Sequence, residues 1–275
     1  MGTKALGEAR LALVGGGVMG TAIAAGLLQR GLTQPAQVIV SEPVAARREA
    51  LKAELGVATT DNGAQAVAEA DLIILAVKPQ VLTDVLSGLK GLIAPDALVL
   101  SIVAGATIET LCFGLGVSAV VRVMPNTPAQ VGEGAIVWTT TPAVSAAQRE
   151  MVAEILAALG LAIYVEHEHY LDAATALSGS GPAYVLLFIE ALADVGVEMG
   201  FSRDLAARLA LQTVKGTAIY AEQSGQHPTI LRNQVTSPGG TTAAALSVFE
   251  QGAFRGVVAS AVKAAWRRAI ELGAK

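Results

Sequence analysis

The sequence predicts an α/β protein in two parts, an alternating strand-and-helix part followed by an all-helical part. Three observations carry the prediction. Leu11-Ala12-Leu13-Val14 is an apolar run that breaks into Gly15-Gly16-Gly17 and, past Val18-Met19-Gly20, opens a helix-like stretch. Apolar runs then alternate with helical patterns as far as Val165. From His169 onward there is no strand-like alternation, only long helical segments separated by Gly, Ser and Pro.

The opening stretch reads as strand, turn, helix. Gly15, Gly17 and Gly20 have the spacing of a dinucleotide-binding loop: the first allows a tight turn, the second lets backbone approach a pyrophosphate, and the third lets helix pack on strand. Any of the chain's 29 glycines can fall at such a spacing by chance, so the context decides. Thr21 to Arg30 is Ala- and Leu-rich and stops at Gly31, and Val38-Ile39-Val40 runs into Ser41-Glu42, completing a βαβ unit. Glu42 lies roughly 20 residues past the glycines, where such a fold places an acid on the adenosine ribose. Strand before, helix after and acid beyond favour a cofactor site over an ordinary tight turn.

Val44 to Leu55 has a helical pattern ended by Gly56, and Thr59-Thr60-Asp61-Asn62-Gly63 is turn chemistry before a short helix. Leu72 to Val77 is continuously apolar, as a parallel strand covered on both faces should be, and Lys78-Pro79 ends it. Helix Gln80 to Lys90, strand Ala97 to Val103, helix Thr107 to Phe113 and strand Ala119 to Val123 follow. Further strands are expected at Ala135 to Thr140 and Leu161 to Val165, with helix Ser145 to Leu159 between them. Ligands of such sheets bind beyond the carboxyl ends of the strands. Those ends are Gly15-Gly16-Gly17, Ser41-Glu42, Ala76 to Pro79, Ile102 to Gly105, and Met124 to Pro128. Asn126, between two prolines, reads first as a rigid turn.

In the helical part, Pro182 suits a first helical turn after Ser178-Gly179-Ser180-Gly181, Gly200 suits a C-terminal cap, and Ser202 an N-cap for a helix reaching Ser224-Gly225. Glu190, Asp194 and Glu198 form one acidic stripe on a helix otherwise apolar nearly all round. Such a helix needs burial on several sides, more than about a hundred residues supply, so a partner subunit is inferred. Ser237-Pro238-Gly239-Gly240-Thr241-Thr242 then precedes the Ala-rich helix Ala243 to Phe249. Exposed amides, a positive dipole end and two hydroxyls there make an anion site suited to a substrate carboxylate; N-capping by Thr242 is the simpler alternative. His167, His169 and His227 lie in polar or turn sequence and read as surface residues.

Composition narrows the function. The chain of 275 residues is 53% apolar and 15% charged, with a net charge of −4 and no Lys/Arg run; a nucleic-acid footprint is not expected and a small-molecule substrate is. The single cysteine, Cys112, points to a reducing compartment and to no structural metal. Met1 to Arg10 lacks the apolar core of a secretory signal, and the apolar runs fall short of the about 20 residues of a membrane span. A cytoplasmic location with no membrane partner is expected.

Taken together these stretches resemble Δ1-pyrroline-5-carboxylate reductase across almost the whole chain. The resemblance rests on Leu177 to Tyr184 and on Val235 through Ser237-Pro238-Gly239-Gly240-Thr241-Thr242 to Leu246. Ala76-Val77-Lys78-Pro79-Gln80 and Arg122 to Pro128 support it. It implies a Rossmann NAD(P)-binding domain over residues 1–166 and an all-α dimerisation and substrate domain over 167–275, in an interlocked homodimer that builds larger rings. It also implies hydride transfer from NAD(P)H to a cyclic imine, giving L-proline. On matching positions, Val14, Gly15, Gly16, Gly17, Val18 and Met19 would line the pyrophosphate and nicotinamide, with Asn62, Ala76, Val77, Lys78, Pro79, Ile102, Val103 and Ala104 around the rest of the cofactor. Glu168, Gln234, Gly240, Thr241 and Thr242 would surround the substrate, with the proton on the ring nitrogen coming from solvent or through Thr242. At Gln234 the family also carries Asn. The family often has small or basic residues where Ser41-Glu42 stands, so both NADP and NAD are kept as cofactors, with Arg47 and Arg48 placed to offset the carboxylate.

Two rivals remain. A β-hydroxyacid-type dehydrogenase would resemble a Gly-x-Lys-x-x-Asn pattern, but Val214-Lys215-Gly216-Thr217-Ala218 lacks the asparagine. The other is a non-catalytic nucleotide-binding sensor.

Overall fold

The computed structural model describes residues 5–273. Eight strands form one sheet: β1 Leu11–Val14, β2 Val38–Ser41, β3 Ala58–Thr60, β4 Leu72–Leu75, β5 Leu98–Ser101, β6 Val120–Met124, β7 Gly134–Thr140 and β8 Gly160–Tyr164. Their order is β3-β2-β1-β4-β5-β6-β7-β8. All neighbours are parallel except β6 and β7, which are antiparallel. The first six strands have the dinucleotide-binding order, in which the chain reverses direction across the sheet between β1 and β4.

Helices cover both faces. Leu11, Leu13, Val40, Leu72 and Ile74 point into one core with Ile23 and Leu27 of α1 (Val18–Gln29), Leu51 of α2 (Ala45–Leu55), and Val152 and Ile155 of α6 (Ala146–Ala157). Ala12, Val14, Ile73, Leu75 and Val99 point into the other. There they meet α3 (Gly63–Val67), α4 (Leu82–Leu89) and α5 (Ile108–Leu115) through Val67, Leu86 and Leu111. Leu72, Ile73, Ile74 and Leu75 are all fully buried, which explains an apolar run without alternation. Each contributes roughly 1.5–3 kcal/mol by leaving water.

One expected turn is a strand. Thr59 and Thr60 pair in parallel with Val40 and Ser41 at the sheet edge. A three-residue edge strand has too little alternation to reveal itself, and its β-branched threonines suit the pleat as well as a turn.

Beyond β8, the short α7 (Tyr170–Ala174) continues through a π-helical turn, Thr175–Gly179, into α8 (Gly181–Glu198). Leu171 and Ala174 pack with Met124 of β6. The described residues therefore form two compact units, 5–180 with 265–273, and Gly181–Ala264, whereas the sequence places the domain boundary between 166 and 167. The second unit holds α8, α9 (Arg203–Ser224), α10 (Pro228–Gln234), α11 (Thr241–Gln251) and the start of α12 (Phe254–Gly273). α8 and α9 touch closely at Gly196, where a Cβ would lie 2.9 Å from that of Ala206. Much apolar surface stays uncovered there: Leu187 is 66% exposed, Val248 68% and Val257 62%. The continuous helical stretch Tyr170–Glu198 is long and apolar enough to cross a membrane by length and composition. Asp172, Glu190 and Asp194 interrupt its apolar runs without interrupting the helix.

Candidate active site

The carboxyl ends of β2, β1, β4 and β5 lie side by side, with Val14 paired to Ser41 and Leu75, and Leu75 to Ser101. The loops leaving these strands share one rim, and the residues expected around a cofactor stand on it, except Asn62, which follows β3. The glycine loop is held by contacts that admit no side chain. Gly15 has φ +109° and its Cβ would fall 2.6 Å from the Ala76 carbonyl; a Cβ on Gly20 would fall 2.1 Å from the Gly15 carbonyl. Gly17 differs, since a Cβ there would meet nothing within 4 Å. It is the N-cap residue of α1 with no side-chain cap, so the first amides of that helix are left for another acceptor. Val14 is buried, Met19 half-buried and Val18 exposed.

Around this loop the sheet supplies fixed walls. The Ala76 amide donates to the Val14 carbonyl at 2.8 Å and the Ile102 amide to the Leu75 carbonyl at 3.0 Å, extending the ladder past β4 and β5. Val77 and Ala104 are half-buried, Val103 is buried, and Lys78 and Pro79 are exposed. Pro79 begins a 3-10 turn for which Lys78 is the N-cap residue. Asn62 caps α3, its side-chain oxygen accepting from the Gln65 amide.

Ser41 and Glu42 are buried. Glu42 accepts from the Gly16 amide at 3.1 Å and from the Val44 amide at 3.0 Å. Arg47 Nη2 donates to the Gly16 carbonyl at 2.6 Å. Arg48 Nη1 donates to the Glu42 and Pro43 carbonyls, both at 2.8 Å, and Nη2 lies 3.6 Å from Asp61. The acid and both arginines are thus hydrogen-bonded within the loop system, with Glu42 buried, Arg48 half-buried and Arg47 exposed.

Glu168 closes a second cluster. Its Oε1 accepts from Arg122 Nη1 at 2.7 Å and from the Ile108 amide at 2.8 Å, and Arg122 Nη2 reaches Asp172 at 3.3 Å. Arg122 is 2% exposed. It escapes sequence reasoning about function; the available signal is a single cation inside the apolar strand Val-Val-Arg-Val-Met. Asn126 bridges two segments, donating to the Ser178 carbonyl at 3.0 Å and accepting from the Ala135 amide at 2.9 Å. Burial first, and then the Glu168 charge, push the Cys112 thiol pKa up. His167 and His169 are exposed and stacked, with ring centroids 5.7 Å apart.

Within the second unit, Gly239 has φ +70° and Gly240 is the N-cap residue of α11, without a side-chain cap. The helix begins at Thr241, two residues before the expected start, so Thr242 occupies its second position and is not the N-cap. The Gly240 amide is taken by the Ser237 carbonyl at 3.1 Å, and a Cβ on Gly240 would fall 2.4 Å from Ser237 Oγ. Gln234 is exposed, accepting from Tyr220 Oη at 3.3 Å and donating to Gln226 at 3.1 Å.

Strand order, a contact-locked glycine loop and a rim of four strand ends define the class: a dinucleotide-binding protein of the Rossmann type, its sheet followed by helices. Residues 10–105 match the family model described as NADP oxidoreductase, coenzyme F420-dependent, and residues 168–272 match pyrroline-5-carboxylate reductase dimerisation. The chain is 44% identical to the pyrroline-5-carboxylate reductase of Synechocystis sp. over 97% of this chain and 99% of that one. A crystal structure of the Plasmodium falciparum pyrroline carboxylate reductase with NADP bound matches with a TM-score of 0.88 at 33% identity, covering 98% of this chain and 99% of that one. A Coxiella burnetii pyrroline-5-carboxylate reductase structure matches with a TM-score of 0.88 at 36% identity, covering 96% and 98%. The chain belongs to the pyrroline-5-carboxylate reductase family.

Proposed function

We propose that this chain reduces 1-pyrroline-5-carboxylate to L-proline with NADPH or NADH, the final step of proline biosynthesis, as a homodimer in the cytoplasm. The observation that carries the reading is the glycine loop: crowded by protein at Gly15 and Gly20, open at Gly17, and followed by uncapped helix amides. A dinucleotide pyrophosphate fits that opening by charge and by hydrogen-bonding capacity. Val14 to Met19 would hold it, with Ser41, Glu42, Asn62, Ala76 to Pro79 and Ile102 to Ala104 around the remainder. Bound there, the nicotinamide supplies the hydride.

The protein's own share is placement. The amides at the start of α11 and the Thr242 hydroxyl are assigned to the substrate carboxylate, and Glu168 and Gln234 to the substrate's surroundings. Thr242 is the residue assigned to the proton path at the ring nitrogen. Fixing the ring so that its electrophilic carbon sits about 3–3.5 Å from the donor removes most of the entropic barrier. The uncovered apolar helices support self-association, and larger rings of dimers extend the same proposal.

The test is direct. NADPH or NADH oxidation should require the purified protein and pyrroline-5-carboxylate, and should yield proline. Reduction of NAD⁺ or NADP⁺ by 3-hydroxy acids, with no NAD(P)H oxidation by the imine, would favour the dehydrogenase rival, and binding without turnover the sensor.

A further inference from the structure

Glu168 uses its two oxygens unequally. Oε1 accepts from both Arg122 Nη1 and the Ile108 amide, while Oε2 has no hydrogen bond among the described residues and the side chain is 31% exposed. The arginine that imposes this asymmetry is almost fully enclosed, its side chain 3% exposed. It forks between Glu168 and Asp172, and its Nε has no hydrogen-bond partner among the described residues. A buried ion pair with an orphaned donor is a poor source of stability, because desolvating the charges offsets their attraction. What the arrangement does provide is a fixed carboxylate, with one oxygen committed to two donors and the other left available on a partly exposed side chain.

We infer that Arg122 is a positioning residue: by holding Glu168 Oε1 together with the Ile108 amide, it presents Oε2 as the acceptor for the cationic N–H of the substrate and product ring. This deepens the proposed reaction and rests on it. A protonated cyclic imine and L-proline both carry a positively charged N–H. Arg122 touches neither ligand. It lies on β6 between Ser101 of β5 and Thr139 of β7, and its planar fork sets the carboxylate orientation in a way that a lysine point charge reproduces in part.

Two ligands separate the nitrogen from the rest. L-proline carries the charged N–H, and cyclopentanecarboxylate has the same ring size and carboxylate without it. Their dissociation constants are measured by calorimetry on the full chain with NADP⁺ present. In the wild type, L-proline should bind about tenfold to a hundredfold tighter, the value of a hydrogen bond between charged groups. Glu168→Gln and Arg122→Met should bring the two affinities close together by weakening L-proline alone, and Arg122→Lys should recover part of the preference. A preference unchanged in Glu168→Gln overturns the role of Oε2. If Arg122→Met weakens both ligands equally, or fails to fold while Arg122→Lys behaves as wild type, Arg122 is structural and the inference falls. Failure of the reductase reading itself shows separately, as a wild-type protein that does not turn over pyrroline-5-carboxylate.

Discussion

The Gly16 amide donates to the Glu42 carboxylate at 3.1 Å, tying the acid after β2 to the glycine loop after β1. The contact keeps Glu42 buried instead of turned toward solvent. A carboxylate offers about four acceptor sites and Glu42 has two in use, so it retains capacity for ribose hydroxyls while its charge opposes a 2′-phosphate.

Glu42→Ser should therefore raise the NADPH/NADH ratio of kcat/KM, by about tenfold, equivalent to roughly 1.4 kcal/mol. Stability should fall by about 1 kcal/mol, since the buried Gly16 amide loses an acceptor. Steady-state kinetics with both cofactors and a melting curve check it. An unmoved ratio would show that Glu42 serves the loop alone.

Most of the Rossmann part was legible because its physics is local. The fully buried run Leu72 to Leu75 has one sensible explanation, and glycines between a strand and a helix have few. The charge contacts were not legible: nothing in the spacing says that Glu42 turns to Gly16, or that Arg122 meets residues 46 and 50 positions away. β3 was lost because three residues carry no period. The start of α11 was misplaced because threonine serves equally as an N-cap or as a first-turn residue, and only the backbone at Gly240 decides.

Alanine at two loop glycines should have different consequences. Gly20→Ala pushes a Cβ to within 2.1 Å of the Gly15 carbonyl, so α1 must shift. Overpacking of this kind costs about 1–3 kcal/mol or more, and both the melting temperature and the dinucleotide affinity should drop. Gly17→Ala meets open space and should leave the melting temperature nearly unchanged while weakening NADPH binding. Thermal melts and fluorescence titration separate the two, and a Gly17→Ala protein with full affinity would place the pyrophosphate elsewhere.

The uncovered helices of Gly181–Ala264 predict an obligate dimer. Leu186 and Leu187 on α8, Leu211 on α9 and Val257 on α12 are each more than half exposed in the single chain, a surface too apolar for a stable monomer. Sedimentation should find no active monomer at micromolar concentration, and apparent stability should rise with protein concentration. Active monomer there would contradict the family's dimerisation segment as the use of these residues.

Thr242→Ala tests the substrate end of the site. Thr242 sits at the second position of α11, behind a glycine N-cap that has no side-chain cap bond, so its hydroxyl is not needed to start the helix. Ala is the better helix former at that position, and the melting temperature should hold within experimental error. If the hydroxyl bonds the charged substrate, its loss should lower kcat/KM by about 1.5–3 kcal/mol of transition-state stabilisation, roughly ten- to a hundredfold. Thr242→Ser keeps the hydroxyl and should restore most of the rate. A fall confined to KM would assign the contact to carboxylate binding alone, and a fall in kcat would place the hydroxyl on the proton path to the ring nitrogen. Unchanged kinetics in Thr242→Ala would remove this helix start from the substrate site.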